Sequence, residues 1–233
     1  MFNTLMGVCA GLSLLLVPRL WAVMTNDRPP LLLVSSTGFS RSGWSAAFGV
    51  LGAILTLLGF IMTVAHPLAR AKPYIDSVFG EPCLLLGIAL LAAAVWLACT
   101  PESQAFDEQY ARASLAPISW IIFAIGIVLL WCTLAIVRFD LIGSAPQHEP
   151  ITGLLHGSPV ENIFFALVLY GPSAVGCLLF PAVVRGGGRI PWLVLYWCWT
   201  VAGAAFLFFS AMNYYTHAGM LVNELSDGPA IRW

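Results

Sequence analysis

Six apolar runs dominate the chain, at about residues 2 to 24, 43 to 65, 73 to 99, 117 to 137, 159 to 184 and 191 to 216. A helix needs roughly 20 apolar residues to cross the hydrocarbon layer. Lipid offers no partner to an unpaired backbone amide, so each run must be a helix or part of a closed barrel. None alternates with period two over a barrel strand's length of about ten residues. The expected fold is therefore all-α: a polytopic membrane helix bundle of about six transmembrane helices, with residues 1–233 as a single transmembrane domain. With 9% charged residues and a mean hydropathy of +0.89, the chain lacks the polar surface of a soluble domain, which carries roughly a quarter charged residues.

The first run has no basic leader and continues through Pro18 and Arg19 to Met24 without a small-residue cleavage site, so it is expected to be a retained helix. A net charge of −1, with ten scattered Lys and Arg, gives no footing for nucleic acid. Cys9, Cys83, Cys99, Cys132, Cys177 and Cys198 lie within or at the ends of apolar runs, with no CxxC pair. They are expected to be reduced, buried packing residues.

Pro73, Pro117, Pro159 and Pro191 mark expected helix starts, where a first-turn N–H has no partner anyway. Pro82 and Pro172 fall inside their runs and are expected to kink them, either for packing or to open a binding site. Asp76-Ser77-Val78-Phe79 is echoed by Glu161-Asn162-Ile163-Phe164, as two three-helix halves of inverted topology would require.

Six spans place His66, His148, His156 and His217 on one membrane face, with Asp76, Glu81, Glu161, Asn213, Tyr214 and Glu224 toward it. The opposite face holds Arg28, Arg41, Arg112, Arg185 and Arg189, with Arg19 snorkelling there, against Arg70, Lys72, Arg138 and Arg232 on the histidine face. That excess favours a multi-pass cell-membrane protein with both termini outside the cytoplasm.

Glu81 would sit roughly 12 Å inside a helix beginning near Pro73. It is expected to be the most buried carboxylate and to point into the bundle toward His66, Asn213, Tyr214 or His217, since a lipid-exposed carboxylate is costly. The candidate functional cluster is Glu81, His66, Asp76, His156, His217, Asn213 and Tyr214. No HxxxH, HxxE or ExxH spacing puts two ligands on one helix face, so no metal site is assigned. The histidines are interfacial, unlike the ligands of a buried haem, and there is no nucleophile elbow or phosphate-binding glycine motif. No cofactor follows.

The stretch Gly43-Trp44 through Ala65-His66-Pro67-Leu68, then Pro73 through Phe79-Gly80-Glu81-Pro82 and Gly87, resembles a prokaryotic family of multi-helix membrane proteins known only as a domain of unknown function, with an FGEP-type motif. The late Tyr215-Thr216-His217-Ala218-Gly219-Met220 segment is similar to that family's C-terminal region. His66 stands where the family pattern has an aromatic residue and Asp76 where it has an amide. The resemblance implies the fold and draws attention to Glu81, but supplies no activity.

Three function classes remain. The first is a non-catalytic subunit or assembly factor, embedded in membrane lipids and packing on membrane-protein partners or copies of itself. The small residues Gly52, Ala53, Gly203, Ala204 and Ala205 and the lack of a recognisable catalytic set favour it. The others are a small-solute or proton-coupled transporter using Glu81, and a membrane enzyme or redox protein with a His and carboxylate metal centre.

Overall fold

The computed structural model describes residues 2–25, 40–70, 72, 74–101 and 107–225. They form six helical spans and no strand: α1 (Phe2–Thr25), α2 (Arg41–Ala65), α3 (Ile75–Cys99), α4 (Glu108–Phe139), a fifth span (Val160–Val184) and α7 (Arg189–Leu225). The fifth span is built of α5 (Val160–Phe164), a π-helical stretch (Phe165–Tyr170) and α6 (Gly171–Val184).

Local chemistry sets the ends. Ser40 and Asp107 cap α2 and α4 by accepting the N–H of Gly43 and Tyr110, each satisfying an amide the first turn leaves orphaned. The Asp107 cap and the polar turn after it start α4 well before Pro117, which lies inside the helix rather than at its start. Pro159 is the N-cap of α5 and Pro191 sits in the first turn of α7. Pro73, Arg28 and Arg232 lie outside the described residues. His66 and Asp140 close α2 and α4 in the left-handed conformation, each returning its N–H to the carbonyl four residues back.

Helix pairing follows the glycines. The most extensive pair is α2 with α3, followed by α1 with α7 and α4 with α6. Gly52 and Gly59 of α2 face Gly87 and Gly80 of α3; a methyl on Gly59 would lie 2.6 Å from the Leu84 amide, and one on Gly87 2.5 Å from that of Thr56. Gly11 and Gly203 make the same kind of approach between α1 and α7. In lipid, where apolar surface gains nothing by leaving one apolar medium for another, such backbone proximity supplies the dispersion contacts that hold helices together. Gly52 and Gly203, expected to meet a partner, are thus spent inside the chain, while Ala53 is exposed.

The pairing does not repeat between halves, since α2 favours α3 while the fifth span packs on α4 as well as α7. The echo of Asp76–Phe79 in Glu161–Phe164 therefore has no counterpart in the packing. All six cysteines are unpaired, but only Cys9 and Cys177 are buried; Cys99, at the end of α3, is exposed. Arg19 is buried rather than snorkelling, with Nη1 donating to the Leu15 carbonyl at 2.5 Å and the guanidinium over the Tyr196 ring.

The glycine contacts predict opposite signs for two Gly→Ala changes. Gly87→Ala forces α2 and α3 apart and lowers stability by about 1–3 kcal/mol. Gly49→Ala, whose added methyl would meet nothing nearer than the Ala94 Cβ at 3.9 Å, gains up to about 1 kcal/mol of helix propensity. Denaturant unfolding in micelles, followed by circular dichroism, measures both; a shared sign would contradict the close α2–α3 contact.

Candidate functional site

Two interior prolines bear on one hydrogen bond between α3 and the fifth span. Pro82 has no N–H to return to the Val78 carbonyl four residues back, which would leave that oxygen unpaired in a low-dielectric interior. Tyr170, itself buried, donates its hydroxyl to this carbonyl at 2.8 Å. Tyr170 ends the π-helical stretch, and that stretch has a proline behind it too. Pro172 cannot donate to Val168, and just ahead of it the Gly171 N–H bonds Ala166 O, five residues back, the hydrogen-bond pattern of a π-bulge. One proline creates the acceptor, and the bulge beside the other presents the donor.

Pro82 and Tyr170 also line a cavity of about 110 Å³. Its deep walls are apolar, including Leu86, Ile125, Leu129 and Phe206. Its end toward the start of α1 carries Asn3, Thr4, Ser210 and Asn213. There Thr4 Oγ1 and Asn213 Oδ1 are buried without a hydrogen-bond partner. Thr25, Thr63, Thr100 and Thr133 each bond the carbonyl four residues back. Thr4, in the first turn of α1, makes no such bond. A second cavity, of about 120 Å³, continues beyond a waist of Leu14, Leu86, Ile125 and Cys177 shared by the two.

The histidine face is closed by the 140–159 loop, pinned from three sides. Asn162, at the start of the fifth span, accepts the Ile142 N–H and donates to Ile136 O, tying the loop to the end of α4. Lys72 Nζ donates to Ile142 O. Against α7, the buried Glu149 accepts the Thr216 hydroxyl at 2.5 Å with His217 Nε2 3.6 Å away, and Asn223 donates to His148 O. Between these anchors Ile151 adopts φ 65°, ψ −68°, and the Thr152 N–H bonds Pro150 O. This is a γ-turn, strained for a β-branched residue. Pro150 packs against Gly219, where a side chain would collide with it.

With this architecture in view, comparison with known proteins gives one match: a family model described as "Protein of unknown function (DUF981)" covers residues 2–219. The chain belongs to the DUF981 family. This agrees with the resemblance carried by Phe79–Pro82. No curated protein and no solved structure matches the chain.

The structure of this DUF981 chain disperses much of the expected cluster. Glu81 is exposed, the opposite of an inward carboxylate. The reason is helical phase: Glu81, Leu85, Ile88, Ala92 and Val95 form the outward stripe of α3, while Asp76, Gly80, Gly87, Leu90, Ala94 and Leu97 are turned inward. Asp76, not Glu81, is fully buried; its carboxylate accepts the Leu68 N–H at 3.0 Å and closes the α2–α3 turn. His66 is an exposed helix cap, His156 bonds the Ala145 carbonyl and Tyr214 is exposed. His217 lies beside Glu149, and Asn213 lines the cavity. Among the described residues, no three His, Cys, Asp or Glu side chains gather where a metal ion could be held. Glu149, Thr216, Lys72 and Tyr170 were absent from the candidate set. Of these, Tyr170 had a signal, since an interior proline guarantees a freed carbonyl and a tyrosine next to Gly171-Pro172 can supply the donor.

A double-mutant cycle tests the proline junction. Tyr170→Phe leaves Val78 O unpaired and costs about 1–3 kcal/mol. Pro82→Ala restores the helical donor, so in that background the same Tyr170→Phe change costs less by at least about 1 kcal/mol. Thermal or denaturant unfolding of the four proteins in one detergent gives the coupling; strict additivity would contradict it.

Proposed function

We propose that this protein is a non-catalytic membrane subunit whose α3 face, centred on Glu81, is covered by a transmembrane helix of a partner protein. The observation that carries this reading is the position of Glu81 on an apolar stripe. It lies about 9 Å beyond the start of α3 at 1.5 Å per residue, exposed, with no hydrogen bond or ion pair among the described residues. An ionised carboxylate facing lipid within a span is costly, and a partner helix presenting Lys, Arg, His or a hydroxyl at the same depth removes the cost. Leu85, Ile88 and Val95 continue the stripe and give that helix an apolar contact.

Support for the other classes is thinner. Glu81 lies outside both interior cavities, so no path through the bundle reaches it by those spaces. In the orientation favoured here, both termini lie outside the cytoplasm, supported by Arg41, Arg112, Arg185 and Arg189 at the opposite ends of the spans.

Site-specific photo-crosslinking from position 88 in native membranes, with mass measurement after mild-detergent extraction, tests the reading. A defined protein adduct and a stoichiometric complex are expected. Glu81→Gln, which keeps a hydrogen-bonding group, retains more of the complex than Glu81→Leu, which reduces it about tenfold, the loss of one hydrogen bond. Adducts to lipid alone, with the chain migrating as a monomer, would overturn it.

A further inference from the structure

We propose that the interior cleft along α1 holds a neutral, single-chain amphiphile, with its hydroxyl head at Asn213 and Thr4 and its hydrocarbon tail running through the waist into the second cavity. This goes beyond the subunit reading and does not depend on it, because Glu81 faces away from the cleft.

Length, polarity and charge specify the ligand. The two cavities are lined by α1 from Asn3 to Met24, a run of about 31 Å at 1.5 Å per residue, close to the hydrocarbon thickness of about 30 Å. Away from the histidine-face end the walls are largely apolar: the hydroxyls of Ser13, Tyr170 and Ser173 are bonded to backbone carbonyls, and the Trp96 indole N–H lies unpartnered in the second cavity. At the histidine-face end two buried oxygens, Thr4 Oγ1 and Asn213 Oδ1, have no partner among the described residues. Buried polar atoms are ordinarily satisfied, and exceptions call for an explanation. A hydroxyl both donates and accepts, so one head group at this point donates to the Asn213 amide oxygen and accepts from the Thr4 hydroxyl. No Asp, Glu, Lys, Arg or His lines either cavity. A carboxylate or phosphate head would therefore be buried without a counter-ion, at a penalty a neutral head avoids. Cavities of about 110 and 120 Å³ that share Leu14, Leu86, Ile125 and Cys177 suit one chain rather than the two of a diacyl lipid.

The test uses the full-length protein in nanodiscs and a hexadecanol carrying a diazirine along its chain. Adducts are expected on α1 and α7 residues of the cleft, competed by unlabelled hexadecanol and at least about tenfold less by hexadecanoate at neutral pH. Asn213→Leu lowers capture about tenfold, matching one lost hydrogen bond, and the near-isosteric Thr4→Val lowers it several-fold while leaving the circular dichroism unchanged. Leu14→Trp fills the waist and abolishes both capture and the rise in Tm that hexadecanol gives the unaltered protein. If that variant does not fold, the Thr4→Val result decides. Adducts confined to the outer face of α4 around Trp120 and Trp131, equal capture of the alcohol and the carboxylate, or capture unchanged by Asn213→Leu and Thr4→Val would each overturn the proposal.

Discussion

The hydrogen bond from Tyr170 to the Val78 carbonyl resolves the conflict on which the centre of this bundle turns. A proline inside a membrane helix exposes a carbonyl where no water can reach it, so some other group must be brought to that oxygen. Here the donor arrives from the fifth span, and it sits at the end of a π-helical stretch adjoining a second proline. The bond fixes the relative height of α3 and the fifth span. It also sets Phe79 against Phe165, whose rings lie 5.8 Å apart, and places Tyr170 on the wall of the interior cavity.

Around that point two kinds of contact divide the work. Glycine stripes bring backbones together in the α2–α3 and α1–α7 pairs, where Gly11, Gly52, Gly59, Gly87 and Gly203 each lie close to backbone atoms of the facing helix. Elsewhere large residues fill the space, as in the Phe164, Phe165 and Phe209 group and the Phe180–Trp199 stack. The cleft lies where neither kind completes the packing, between the α2–α3 pair and the remaining helices. Polar side chains then organise the two ends: carboxylates, amides and Lys72 on the histidine face, and arginines on the other, with Arg112 donating to the Val183 and Val184 carbonyls at the end of α6.

Much of this was legible from the residues. Run length gave six spans, and their even number put His66, His148, His156 and His217 at one end of the bundle, as the helix termini now show. Direction around each helix was harder. In a soluble helix the apolar side marks the core, but on α3 nearly every side is apolar, so hydrophobicity gives Glu81 no bearing. The informative residues were the small ones: Gly80 and Gly87 mark the contact face, and Glu81 belongs with Leu85 and Ile88 on another. Depth misled as well. Asp76 lies nearer the helix end than Glu81 yet is wholly enclosed, because a turn folds back over it and offers the Leu68 amide. Glu149 stood in a loop with no periodicity, and its burial depends on α7 continuing far enough to meet it.

That continuation has a mechanical consequence. At 37 residues, α7 is about 55 Å long and outruns the hydrocarbon layer by about 25 Å. Its lower part is a wall of the cleft, and its upper turns are the post to which the 140–159 loop is fastened through Thr216 and Asn223. A single rigid rod thus links the bundle interior to the surface cap. Through those two bonds a displacement of α7 at the cleft would be carried to Glu149 and His148, directly beside the strained turn at Ile151.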